Sequence, residues 1–383
     1  MEGSWPAELD DLREQVDRFV DDLAEEFDVV DDSWLVGHDP AFAIRLAQRG
    51  WLGMTWPVRW GGGGRPQIER LVVMERLLER GAPVATSWIC DRQIGPVLLE
   101  FGTDEQRQRW IPDMRAGTSA WCIGMSEPDA GSDVASIGTR AERDGDDFMV
   151  SGQKIWTSGA AAADWCYLIC RTDPDAPAHK GLSELVVDMR SQGIEVRPIT
   201  DSSGDAHFNE VFFDEVRVPA ANLVGELNNS FGQTMRQLEH ERGGIDRLVS
   251  NRRLFEDVAA VADTDDRRVR QEIAAIESGY RIGRLMVLRN VLAEAPPGYS
   301  AITKTFCTEL EQRVATFAAA VVGPHATLTG TVAGPGADIG ARVARNVVYA
   351  PAYTIMGGTT QILRNILGER VLGLPREPRP AAA

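Results

Sequence analysis

The sequence predicts an α+β protein in three parts: a helical N-terminal region, a β-rich middle and a helical C-terminal region. Three observations carry that prediction. Apolar residues recur at three- and four-residue steps up to about residue 116, short β-branched and aromatic runs replace them from about 120, and helical periodicity returns from about 230. The boundaries fall as 1–119, 120–229 and 230–374, with 375–383 read as a disordered tail.

Taken in order, residues 8–30 place Leu9, Leu12, Val16, Phe19, Val20, Leu23 and Phe27 on one helical face with acids between them. Further helical patterns cover 40–49, 66–80, 84–101 and 104–116, the last opened by Thr103-Asp-Glu-Gln106, a capping-box sequence. The stretch WPVRWGGGGRP at 56–66 is a loop, because consecutive glycines hold no regular element cheaply. Strands are expected at 147–150, 165–170, 184–188, 194–198 and 208–218, separated by turn sequences such as Arg143-Asp-Gly145 and Ser202-Ser-Gly204. Helices follow at 231–262, 267–294, 299–322, 338–349 and 351–367, punctuated by GTVAGPGAD at 330–338. The chain has no repeat at solenoid periods.

With 383 residues, 43% of them hydrophobic, the chain can bury a substantial core. A net charge of −17, from 57 acids against 40 bases, excludes an electrostatic nucleic-acid binder. No apolar run approaches the roughly 20 residues needed to cross a bilayer. The N-terminus, MEGSWPAELDDLREQ, lacks a basic leader followed by an apolar stretch, so the expected compartment is the cytoplasm. Cys90, Cys122, Cys166, Cys170 and Cys307 form no CxxC pair and read as reduced, buried thiols. In WCYLICR, Cys166 and Cys170 would share the core face of a strand. Five scattered histidines suggest no metal site.

Two segments bear chemistry. Met125 to Asp133 reads MSEPDAGSD, a run of small residues, turn formers and hydroxyls whose backbone can approach a ligand closely. About twenty residues later comes Lys154-Ile-Trp156-Thr157-Ser158, an aromatic plane beside two hydroxyls. Together they suit a flat cofactor: a ring face against Trp156, and an edge against main-chain N–H groups and hydroxyl oxygens.

In this order and spacing the two segments resemble the flavin-cradling signature of the acyl-CoA dehydrogenase family. The resemblance runs from about residue 40 to 377 and takes in the WPxxxGG-like loop and the C-terminal GGTTQILRNILGERVLGLPRE from Gly357. It implies the family fold, with a β-barrel-like middle domain and a C-terminal four-helix bundle, and FAD as cofactor. It also implies oxidation of an acyl-CoA thioester to the trans-2-enoyl form, with electrons passed to an electron-transfer flavoprotein. The main chain around Met125 and Ser126 would meet the flavin pyrimidine edge, Trp156 would cover the ring, Thr157 would be a further cofactor contact, and Ser158 would hydrogen-bond near N5. Ser132 would stand near the cofactor or the pantetheine arm. Thr359 and Gln361 resemble the C-terminal flavin contacts, a helix cap being the alternative.

The α-proton base is where the chain departs from most of the family. Many members carry a glutamate directly before the Gly-Thr of the C-terminal motif; here Gly357 stands there. Isovaleryl- and long-chain-type enzymes carry it instead on the first long helix of the C-terminal domain, just before an arginine. Glu241, before Arg242, matches that position, against the plainer reading of one more solvated carboxylate beside Glu239. Gly357 would keep its N–H for the thioester oxygen and vacate side-chain space, which favours a bulky, branched or polycyclic acyl group; a turn needing glycine is the alternative. The ERGGID and VVGP stretches also resemble actinobacterial dehydrogenases of steroid-CoA side chains. Arg242 would steady the base region.

Two further departures concern the family's Arg-x-x-Phe-Gly and Gln-x-x-Gly-Gly motifs. Arg252 and Phe255 come too early for the first and lack its glycine, and Ala320-Val-Val-Gly323-Pro324 stands for the second. Both belong to the half-site that one subunit lends its neighbour, so the chain is read either as one subunit of a heteromer with a paralogous partner or as a homo-oligomer, a tetramer in the family pattern. A flavin oxidase or monooxygenase on the same fold, and a degenerate scaffold subunit, are the competing functions.

Overall fold

A computed structural model of the protein describes residues 6–327 and 337–376, apart from the side chains of 239–241, 337 and 338. Residues 377–383 of the expected tail and most of the GTVAGPGAD stretch lie outside the described residues. The helices are α1 (Ala7–Asp22), α2 (Pro40–Gln48), α3 (Gln67–Glu79), α4 (Ala85–Ile89), α5 (Gly95–Phe101), α6 (Asp104–Ala116), α7 (Phe231–Arg242), α8 (Asp246–Val249), α9 (Arg252–Val261), α10 (Arg267–Val291), α11 (Tyr299–Val322), α12 (Ala337–Tyr349) and α13 (Thr360–Ile366). The strands are β1 (Trp121–Gly124), β2 (Arg140–Asp144), β3 (Asp147–Lys154), β4 (Trp165–Arg171), β5 (Leu182–Asp188), β6 (Ile194–Ile199), β7 (Phe208–Pro219) and β8 (Leu223–Val224).

The chain divides into two compact units, one through Glu241 and one from Arg242. In the first, helix starts follow local chemistry. Asp39 caps α2 by accepting from Phe42 N, with Pro40 in the first turn, and Thr103 and Gln106 form the expected capping box of α6. Helix α1 stops at Asp22 rather than near 30; the chain then turns, and Phe27 reaches Phe42 with ring centroids 5.1 Å apart. The expected helix over 84–101 is interrupted by a wide π-turn at Cys90–Ile94, where Asp91 accepts from Gly53 N and pairs with Arg70.

The sheet runs in the order β6-β7-β3-β2-β4-β5-β8, with β1 parallel to β4. It is open, not the barrel-like closure expected: β6 and β8 end the path unpaired with each other, and β8 has only two residues, too short to close a staggered cylinder. One face packs Trp56, Trp110, Trp121, Tyr167 and Val186 in a single core with helical residues; Phe148, Val150, Leu168, Leu185 and Phe213 fill another. Cys166 and Cys170 are fully buried on β4, as their spacing implies. Between Val150 and Gly152 the β3–β7 register shifts, and a Cβ at Gly152 would come 2.6 Å from Thr139 Oγ1, so only glycine fits.

In the second unit α11 packs against α9, α10 and α12, a four-helix arrangement with α8 and α13 beside it. The sequence pattern suggests one helix over 231–262, but the chain breaks at Gly243-Gly244 and again near Asn251. The expected 351–367 helix is likewise split: a 3₁₀ turn covers Ala350–Thr354, and α13 starts only after Gly357 and Gly358, whose φ values are 68° and 95°. No helix of the described residues is long and apolar enough to cross a membrane.

Candidate active site

In the first unit the MSEPDAGSD loop and the KIWTS segment are knitted together. Lys154, the last residue of β3, is fully buried and donates to Met125 O at 3.0 Å and Glu127 Oε1 at 2.8 Å. Ile155 N donates to Ser126 O at 2.9 Å. Glu127 also accepts from Gly138 N at 2.7 Å and Thr139 N at 2.8 Å, while its backbone bridges Ala130 and closes the Pro-Asp turn. Burial alone would raise the Glu127 carboxyl, but the Lys154 ammonium and these N–H donors hold it below the usual carboxylate range. Burial lowers Lys154 in turn, the Glu127 charge opposing it.

Beyond Lys154 the chain turns sharply. Trp156 has φ 59°, a left-handed conformation costly for a bulky L-residue; the residue is 54% exposed, and its ring meets Phe208 edge to face. Thr157 is anchored on both sides: its N–H donates to Asn209 O, and Asn209 Nδ2 donates to Thr157 O, each at 3.0 Å. Ser158 is half-buried and Ser132 exposed, and neither hydroxyl has a partner among the described residues.

The second unit holds Arg242, Gly357, Thr359 and Gln361. Arg242 Nε donates to Gly357 O at 3.0 Å, and the buried Lys304 Nζ donates to Gly358 O at 2.9 Å. Two cations thus grip successive carbonyls of the glycine turn. The N–H groups of Gly357 and Gly358 have no partner among the described residues. A Cβ at Gly358 would meet Arg242 Nη2 at 3.2 Å. Thr359 caps α13 by accepting from Ile362 N at 3.2 Å, and Gln361 is exposed on its first turn. Glu241 lies in the last turn of α7, and its side chain is outside the described residues.

Three family profiles match in succession: acyl-CoA dehydrogenase N-terminal domain over 6–118, middle domain over 122–216 and C-terminal domain over 228–372. The acyl-CoA dehydrogenase IpdE1 of Mycobacterium tuberculosis is 35% identical over 350 residues, 88% of this chain and 89% of that one. The chain belongs to the acyl-CoA dehydrogenase family. Among solved structures, the Tcur3481-Tcur3483 steroid ACAD is similar with a TM-score of 0.87 and 31% identity, over 98% of this chain and all of that one. The ChsE4-ChsE5 complex from Mycobacterium tuberculosis has a TM-score of 0.85 and 30% identity, over 99% and 100%.

Acyl-CoA dehydrogenases are FAD flavoproteins, and the residues of the first unit fit such a group. The N–H groups of Ser126, Trp156 and Ser158 are unpaired among the described residues, and Thr157 Oγ1 is buried without a partner. An exposed indole stands beside them, held in a strained conformation of the kind that clusters at ligand sites. The sequence reading did not single out Glu127, Asn209 or Lys304, which hold these segments in place. Glu127 and Lys154 were visible as an acid and a base inside the two motifs; Asn209 and Lys304 carried no local signal.

Arg252 is engaged within its own unit, pairing with Glu256 at 2.8 Å and Glu277 at 2.5 Å and lying 4.8 Å from the Tyr280 ring centroid. One grouping was not legible from the scattered histidines: ligand atoms of Asp201, Asp205 and His207 lie within 4.8 Å of one another. Asp201 accepts from Ser203 N, Ser203 Oγ and Asp205 N, the bonding of a tight Asx turn.

Proposed function

We propose that this acyl-CoA dehydrogenase carries out FAD-dependent α,β-dehydrogenation of a bulky, branched or polycyclic acyl-CoA, with Glu241 as the α-proton base. Gly357 carries the reading. No carboxylate stands at the family's commoner base position, and a φ of 68° suits glycine, which leaves residue 241 as the family's other base position. The N–H groups of the Gly357-Gly358 turn, held by Arg242 and Lys304 through their carbonyls, would donate to the thioester oxygen as the α-carbon loses its proton. Bound FAD would supply the hydride acceptor at N5, and the electrons would leave through an electron-transfer flavoprotein. Met125, Ser126, Trp156, Thr157 and Ser158 would hold the isoalloxazine, Thr359 and Gln361 would add C-terminal contacts, and Ser132 would stand toward the pantetheine arm. The likeness to a protein described as a steroid ACAD supports a steroid side chain as the acyl group.

Anaerobic flavin bleaching against butyryl-, isovaleryl- and steroid-side-chain CoA thioesters tests this. Bleaching fastest with the bulky thioesters is expected; bleaching by butyryl-CoA alone, or oxygen consumption without an acceptor, would defeat it. A second reading, one subunit of a heteromer, is favoured because two similar structures carry paired names. The same preparation discriminates: full flavin occupancy in a homogeneous homo-oligomer excludes the partner.

Replacing Trp156 by glycine relaxes the left-handed strain while removing the indole. Folding stability is expected to stay within about 1 kcal/mol of wild type while flavin affinity drops. Equal flavin affinity by titration would remove Trp156 from the cradle.

A further inference from the structure

The first unit contains a buried carboxyl that the residues above do not touch. Glu184 of β5 is fully buried, opposite Ile169 of β4 and Val224 of β8. Its Oε2 accepts from Tyr167 Oη at 2.6 Å and from Gln233 Nε2; its Oε1 accepts from Thr234 Oγ1 at 2.6 Å. Gln233 Nε2 also donates to Tyr167 Oη at 2.9 Å, and Thr234 Oγ1 lies 3.2 Å from Ser230 O. None of these partners is a cation, and a buried carboxylate without one is costly.

Gln233 and Thr234 lie in the first turn of α7, the helix whose last turn carries residue 241. Seven residues separate 234 from 241, which is two turns, roughly 10 Å, along the helix. We propose that Glu184 is a positioning residue: through Thr234 and Gln233 its carboxyl seats the first turn of α7 on the sheet, and its protonation state shifts that seat and the residue-241 end of the helix. This rests on the reading of Glu241 as the base.

The proton inventory gives the device two states. Thr234 has one hydroxyl proton. When Glu184 is ionised, that proton goes to Oε1. When Glu184 takes a proton from solvent, Oε1–H can donate to Thr234 Oγ1, which frees the threonine proton for Ser230 O and closes a bond within the first turn. Oε2 keeps its bonds from Tyr167 and Gln233 in both states. Burial pushes the Glu184 carboxyl up to about 7, the hydrogen bonds from Thr234, Tyr167 and Gln233 opposing it. Tyr167 of β4 faces it, and Cys170, on the other side of that strand, feels its charge; both are raised by burial and so neutral in this range. Strand β8 brings Val224 and α7 brings uncharged Gln233 and Thr234, while Arg236 of α7 faces Glu100 at the surface.

The test compares flavin-loaded wild type with Glu184→Gln and Thr234→Val, following anaerobic bleaching rate and thermal midpoint from about pH 5.5 to about 8.5. Glutamine donates to Thr234 as the protonated acid does. The ratio of the Glu184→Gln rate to the wild-type rate is expected near one in acid and to rise to roughly tenfold above the pH at which Glu184 ionises, with KM unchanged. Thr234→Val should lose the same wild-type pH limb, and covers the case in which the glutamine variant fails to fold. In the thermal readout, native Glu184 holds its proton where the unfolded chain has released it. Wild type should therefore lose stability relative to Glu184→Gln as pH rises from the ordinary carboxylate range to about 7. A rate ratio constant with pH overturns the positioning role even if the thermal difference is present. No bleaching of wild type by any acyl-CoA defeats the base reading instead, and this proposal with it.

Discussion

Glu241→Gln is expected to keep its flavin and to lose acyl-CoA-dependent bleaching by about 10⁴-fold, the upper range for removing a general base. That factor corresponds to about 5.4 kcal/mol of barrier. The reason is proton arithmetic. An α-C–H beside a thioester leaves only if an acceptor takes its proton, and a carboxamide has no basic lone pair to offer. Gly357 has no side chain to substitute, and Arg242 and Lys304 are donors bonded to carbonyls. Flavin absorbance and the thermal midpoint should match wild type, which separates loss of the base from loss of the fold. A variant that still bleaches within about tenfold of wild type would place the base elsewhere.

Glu127→Ala is expected to cost about 3–5 kcal/mol of folding stability and to release the flavin. The carboxylate neutralises the fully buried Lys154 at 2.8 Å and satisfies the N–H groups of Gly138 and Thr139. Its removal strands an ammonium and two main-chain donors together. Urea unfolding checks the size of the loss. The double variant Glu127→Gln with Lys154→Met should recover much of it, because no unpaired charge then remains buried. Burial favours a protonated Glu127, but Lys154 and the N–H donors outweigh it and lower the carboxyl in the fold. Its stabilisation is therefore present above the ordinary carboxylate range and lost as pH falls through the folded value. An alanine variant within about 1 kcal/mol of wild type would show that the pair does not tie the two segments.

Much of this was readable from residue order alone because it depends on near neighbours. Helical and strand periodicities located most elements, and Thr103 with Gln106 marked a helix start that the fold uses. Helix continuity was less legible. Gly243-Gly244 and Gly357-Gly358 break patterns whose apolar spacing runs on unchanged, since periodicity records which face is buried and not whether the backbone stays helical. Strands β1, β2 and β8 were missed because they have two to five residues, too few for an alternation to stand out.

The sequence by itself determined the three-part α+β plan, the two motifs, the family and the glycine where a base commonly stands, all properties of composition and local spacing. Tertiary structure decided which groups meet: Lys154 with Glu127 across 27 positions, Arg242 and Lys304 on the two carbonyls of one turn, and Glu184 with the first turn of α7 about 50 positions away. Such pairings follow from strand register and helix docking. A buried charge selects its partner by distance in space, and order along the chain does not encode that distance.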